Sequence, residues 1–153
     1  MRLSLFTDYS LRVLMFGALR EGTSFSLTDV AVAYGISRHH LVKVVNHLAK
    51  LGYLETRRGR NGGIVLGMPP EAITVGLLVR RTETSPGPVI CFDPKTNHCR
   101  LSGACRLKGV LGEALQAFYR VLDGYTLRDL VSGPHRARME ALLLQSEPVV
   151  VVP

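Results

Sequence analysis

The chain has 153 residues, 46% of them hydrophobic and 20% charged, which suits one domain with a buried core plus an appended element and excludes a disordered tail. A formal net charge of +7 points to an anionic partner, nucleic acid first. No run approaches the roughly 18 apolar residues of a membrane helix, and the N-terminal VLMFGAL, led by Asp8 and Arg12, has no small-residue cleavage site after it, so the expected compartment is the cytoplasm.

Leu11, Leu14, Met15, Ala18 and Leu19 recur at helical spacing and predict a first amphipathic helix, with Thr7 as its N-cap and Glu21-Gly22 at its end. Ser26-Leu27-Thr28-Asp29 reads as a capping box for a second helix, whose apolar residues Leu27, Val30, Ala31 and Tyr34 run to a stop at Gly35. Ser37 opens a third, with Leu41, Val44, Val45 and Leu48 inward and an end near Leu51-Gly52. Two capped helices joined through one glycine turn make a helix-turn-helix.

Residues 53–58 and 64–66 are short strand candidates around the turn Arg60-Asn61-Gly62-Gly63, which turns the unit into a winged helix. Pro69-Pro70 closes it, and a short helix is expected over 74–81. Residues 84–105 carry prolines and polar residues without periodicity, a loop long enough to expect a function of it. Leu107, Leu111, Leu115, Phe118 and Leu122 then predict a long helix, and Val110, Ala114, Ala117 and Val121 lay a second apolar stripe beside the first. One stripe can pack on the chain's own domain. The other needs a partner, most simply the same helix of a second copy in a homodimer. Gly124 ends this helix, and Thr126-Leu127-Arg128-Asp129 caps a further helical turn up to Gly133-Pro134.

The expected fold class is therefore mainly α with a small β-wing: a winged helix-turn-helix followed by a long C-terminal dimerisation helix. The expected divisions are a DNA-binding domain at 1–81, a cysteine loop at 82–106, the dimerisation helix and following turn at 107–132, and a C-terminal tail at 133–153.

On the third helix His39, Lys43, Asn46 and Lys50 fall at i, i+4, i+7 and i+11, opposite the apolar face, with Arg38 and His40 at its N-terminal end. Donor-rich side chains on an exposed helix face are what reading base edges in a major groove and gripping phosphates require. Residues 36–66 hold six Lys or Arg against one acid, Glu55, and Arg57, Arg58 and Arg60 flank the wing tip, where a backbone or minor groove would meet them. The plain alternative is a solvated basic face; charge, helix-turn-helix and wing coinciding favour double-stranded DNA.

Every cysteine lies in CFDPKTNHCRLSGAC, residues 91–105. In a reducing compartment a structural disulfide is not expected, and ligation or redox chemistry is. Zinc sites use short knuckles, whereas these gaps are seven and five residues, and His98 adjoins Cys99, where neighbouring side chains seldom reach one tetrahedral ion. Wider spacing suits an iron–sulfur cluster; 4Fe-4S is expected ahead of 2Fe-2S, and zinc, unligated redox thiols and buried structural cysteines remain the alternatives. No phosphate-binding glycine loop, HExxH or paired nucleophile and base is present, so an enzyme is not expected.

LFTDYSLRVLM, YGISRHHLVKVVNHLAKLGYL, RGRNGGIVLG, the three-cysteine loop and YTLRDLV together resemble the Rrf family of winged-helix iron–sulfur regulators, over about residues 1–131. Within it they are most similar to the nitric-oxide-sensing repressors. The resemblance implies a homodimer on a two-fold-related DNA operator and a cluster held by Cys91, Cys99 and Cys105 that controls DNA affinity in response to nitric oxide. It also implies a carboxylate ligand at Asp8, in the FTDY position, with His98, Asp93 and His135 as alternatives. The cluster-biogenesis regulators of the same family differ where this chain has Lys108 and Lys43. Outside the resemblance, an electron-transfer iron–sulfur protein is the rival of another class; within the family, a redox- or iron-responsive regulator is.

Overall fold

Residues 2–59, 62–85 and 87–144 are described in a computed structural model, in which α1 (Leu5–Leu19) runs through the middle of the core. Its capping residue is Ser4 rather than Thr7: the Ser4 hydroxyl accepts the Thr7 N–H at 3.2 Å, and Thr7 itself is fully buried. Val13, Leu14, Phe16 and Ala18 are buried against Leu41, Val44 and Leu48 of α3 (Arg38–Lys50) and Val30 of α2 (Leu27–Tyr34).

The helix-turn-helix forms as its caps dictate. Ser26 and Asp29 exchange bonds in a complete capping box, Gly35 takes a left-handed φ of 63° that a side chain would strain, and Ser37 starts α3. The wing is an antiparallel pair, β1 (Leu54–Arg57) and β2 (Gly63–Leu66), with Leu54 opposite Leu66 and Arg57 opposite Gly63. A one-residue third strand, unforeseen from the sequence, joins it: Phe25 and Ile64 exchange N–H···O bonds of 2.9 and 2.8 Å. The wing is thereby sewn to the segment between α1 and α2.

After a 3-10 turn at Pro70–Ala72 comes α4 (Val75–Thr82), then the cysteine loop, then α5 (Arg106–Asp123) and α6 (Leu127–Leu130). α6 opens with a second capping box, Thr126 with Asp129. The start of α4 is stapled to the end of α5 by Val75 N–H to Tyr125 O (2.9 Å) and Leu127 N–H to Ile73 O (2.8 Å). Beside these bonds Arg80 grips Asp123 through both carboxylate oxygens (2.5 and 2.7 Å) and lies over the Tyr119 ring at 4.3 Å. Arg128 ties Glu71 (2.5 Å) and Glu21 (2.7 Å) together. Hydrogen bonding to these guanidinium groups holds the Asp123 and Glu71 carboxyls below the usual carboxylate range.

The two stripes of α5 part as their spacing requires. Leu111, Leu115, Phe118 and Leu122 are half-buried toward the chain's own body, while Val110 and Val121 are 52% and 62% exposed, with Ala114 and Ala117 beside them. Leu107, which the spacing groups with Leu111 and Leu115, is exposed as well. Residues 133–144, assigned to a tail from sequence, are a 3-10 turn (Gly133–His135) and a helix, α7 (Arg136–Leu144), that packs Met139, Leu143 and Leu144 against the core. The remainder of that tail, 145–153, lies outside the described residues.

Gly76 marks how tight the α4–α5 joint is: a Cβ there would sit 2.0 Å from Asp123 Oδ1 and 2.9 Å from the Asp123 backbone nitrogen. Gly76→Ala is therefore expected to destabilise the fold by about 1–3 kcal/mol, measured by urea unfolding; a loss under about 0.5 kcal/mol, the size of an ordinary surface change, would mean that the joint yields freely.

Candidate nucleic-acid interface and cysteine loop

The buried residues of α3, Leu41, Val44, Val45 and Leu48, fix which of its faces looks outward. Arg38, His39, His40, Lys43, Asn46 and Lys50 are all exposed, as are Arg57 and Arg58 on the wing. Arg60 lies outside the described residues. None of Arg38, Lys43, Lys50, Arg57 and Arg58 is in an ion pair among the described residues, where every recorded pair uses Arg12, Arg80, Arg128 or Arg136. The charge on α3 and the wing thus stands unneutralised on the surface, as binding a phosphate backbone requires.

His40 is the least free of the set. Its Nδ1 is 3.3 Å from Ser37 Oγ and its ring is 6.1 Å from that of Tyr9 on α1. His47, which the sequence reading passed over, also lies on α3 but turns inward, edge-on to Phe6 at 5.3 Å and with Nε2 3.3 Å from the Arg81 carbonyl.

The loop places Cys91 in a 3-10 turn (Ile90–Phe92), Cys99 exposed just before a turn and Cys105 at the N-cap of α5. All three are free thiols, Cys91 and Cys105 half-buried. The Cys99 N–H donates to Asn97 Oδ1 at 3.1 Å, and the same oxygen accepts from Ser102 Oγ at 2.9 Å. Asp93 accepts the Lys95 N–H at 2.9 Å, and His98 Nδ1 lies 2.8 Å from the Thr96 carbonyl. His135 is remote from the loop in sequence, exposed in the turn before α7.

Asp8 sits in the first turn of α1, where Arg12 pairs with it at 2.9 Å, and the Arg12 guanidinium lies 5.6 Å from the ring centre of Tyr34 on α2. Burial pushes the Tyr34 phenol up to about 12, so Arg12 rests on a neutral ring.

Among the described residues no three His, Cys, Asp or Glu side chains converge as a metal-holding group. The three cysteines therefore share one segment without being gathered at one point, and Asp8 stands apart from them in α1. Their chemistry nonetheless fits an iron–sulfur cluster: three unpaired thiols, none sealed in the core, are the soft donors such a cluster takes. No described residue from 83 to 105 is buried, so none of the three thiols is locked in place by the core.

A family model described as "Rrf2: Iron-dependent Transcriptional regulator" matches residues 3–133. The HTH-type transcriptional regulator NsrR of Geobacillus kaustophilus is 51% identical over 144 residues, 94% of this chain and 97% of that protein. NsrR of Bacillus subtilis is 54% identical over 134 residues, 87% of this chain and 92% of that protein. Among solved structures, CymR, the global cysteine regulator of B. subtilis, superposes with a TM-score of 0.65 at 30% identity, over 85% of this chain and 95% of that one. The oxidised form of Staphylococcus aureus CymR gives 0.69 at 26% identity, over 87% and 98%.

If α3 and the wing grip DNA, Lys43→Ala and Arg58→Ala should each weaken binding, and each lost phosphate contact should shallow the slope of log affinity against log salt by about one unit. A base-edge contact at Asn46 should instead cost about 1–3 kcal/mol at one base-pair position. Fluorescence anisotropy on a duplex selected from a randomised pool distinguishes the two; unchanged affinity and slope in both Lys43→Ala and Arg58→Ala would remove this face from the interface.

Proposed function

The chain belongs to the Rrf2 family of transcriptional regulators, not to an enzyme family, and from that premise we propose a homodimeric repressor whose operator affinity is set by an iron–sulfur cluster that responds to nitric oxide. The observation that carries this reading is the union, on one chain about half identical to NsrR proteins over most of its length, of an unneutralised basic helix and wing with a three-thiol loop.

Cys91, Cys99 and Cys105 would hold the cluster, a 4Fe-4S centre in preference to 2Fe-2S, and when bound it supplies iron reactive toward nitric oxide. Three thiolates would leave a 4Fe-4S centre one protein ligand short. Asp8 is the choice, offered across the dimer because it lies far from Cys91 in the chain. Its carboxylate is paired with Arg12, whose guanidinium also lies over the Tyr34 ring in α2. Ligation by Asp8 and the setting of the helix-turn-helix are thereby joined through one guanidinium. A carboxylate is a hard ligand, and Asp8 would hold cluster iron less firmly than the three thiolates, leaving the cluster accessible to nitric oxide on that side. Asp93 and His98, the nearest alternatives, already serve the loop's own backbone, His98 through Nδ1 only.

The dimer would form along the outer stripe of α5, where Val110 and Val121 stand exposed. An iron-responsive regulator is the second reading, favoured by the family's description as iron-dependent.

Purified without oxygen, the protein is expected to be coloured, to carry iron and sulfide, and to release the selected duplex on exposure to nitric oxide. Cys99→Ala should lose the cluster; Asp8→Ala should retain it in part, with an altered spectrum and weakened coupling to DNA. A colourless protein that holds DNA equally well with and without nitric oxide would end the reading. Release on iron chelation but not on nitric oxide would select the iron-responsive one. For the dimer, Val110→Glu together with Val121→Glu should yield monomers by sedimentation velocity, while a monomeric wild type at micromolar concentration would exclude it.

A further inference from the structure

Three contacts from other elements converge on residues 81–83, where α4 ends and the cysteine loop departs. His47 of α3 sets Nε2 3.3 Å from the Arg81 carbonyl oxygen. The Arg81 guanidinium reaches Tyr53 Oη at 3.4 Å, at the entrance to the wing. Glu83 accepts the N–H of Ser4, the cap of α1, at 2.7 Å. The three partners are the DNA-facing helix, the wing and the helix that carries Asp8.

The Arg81 carbonyl is one of the last four of α4, which have no partner N–H within their own helix. A carbonyl only accepts, so the contact requires the proton on His47 Nε2. Asn46, the adjacent residue on α3, faces outward with the DNA-reading set, while His47 is turned into the body against Phe6. A small movement of residues 81–83 therefore acts on α3 directly, one position from a side chain expected to read a base. No described residue in 83–105 is buried, so core packing does not fix the loop, and its strain passes to its fixed ends at α4 and α5.

We propose that His47 is a positioning residue that transmits the state of the cysteine loop to α3 through the Arg81 carbonyl. This rests on the cluster-controlled reading above. A capping role alone would strengthen DNA binding equally in both states of the loop; transmission strengthens it in one state more than in the other, which is the meaning of coupling between two sites.

The experiment uses two variants that keep bulk against Phe6. His47→Met donates no hydrogen bond, and His47→Gln keeps an N–H within reach. For each, affinity for the duplex selected by the wild type is measured with cluster-loaded protein and with protein depleted of its cluster, alongside iron and sulfide content. His47→Met should lower the ratio of the two affinities about five-fold, the effect of one net hydrogen bond, with iron content unchanged, and His47→Gln should restore it. A wild-type ratio in His47→Met, or an equal loss of affinity in both states, overturns the proposal. A wild type whose two affinities are the same ends the cluster-controlled reading, and this one with it.

Discussion

The joint between α4 and α5 is what the rest of the molecule depends on. On one side of it lie the helix-turn-helix and wing, on the other the outward apolar stripe of α5. Two backbone hydrogen bonds, the doubly bonded Arg80–Asp123 pair and a glycine with no room for a methyl group hold the two at a fixed angle. A dimeric DNA reader must present its two helices at a separation set by the helical repeat of DNA. If α5 makes the dimer, a loose joint would let that separation wander, and affinity for a two-fold operator would fall without any change in either reading face. The surface ion pairs here add little stability singly; their value is directional, because Arg80 is held by carboxylate and ring together.

The parts of the fold legible in the sequence were those specified locally. Ser26 with Asp29, Gly35, Ser37 and Thr126 with Asp129 each act within four residues of themselves, and each stands where the sequence placed it. Thr7 misled because a polar residue in front of an apolar repeat looks like a cap; Ser4, three residues earlier, takes the cap and Thr7 turns into the core. The Phe25–Ile64 bridge was invisible because a one-residue strand has no period. The joint itself, made by residues more than forty positions apart, leaves no signature in either segment read alone.

The site divides in the same way. Exposure of the basic set followed from the apolar positions of α3, since one face of a helix determines its opposite. Donor chemistry of the loop was legible from three cysteines in fifteen residues. Convergence was not, because an irregular loop has no periodicity from which to infer where its side chains meet. The inward turn of His47 escaped notice for another reason: histidine at that position is one more polar residue in RHHLVKVVNHLAK, and only the approach of α4 from 34 residues away gives it a partner.

The unburied cysteine loop also bears on how such a protein can change over generations. Because no described residue from 83 to 105 contributes to the core, the segment can lengthen, shorten or exchange its chemistry at the cost of loop closure alone, about 0.6 kcal/mol for a doubling in length. Its described ties to the helix-turn-helix and wing are at residues 81–83, where the loop leaves α4. New signals can therefore be tried on an unaltered reader, and the same architecture seen in a cysteine regulator is what such trial and retention would leave behind.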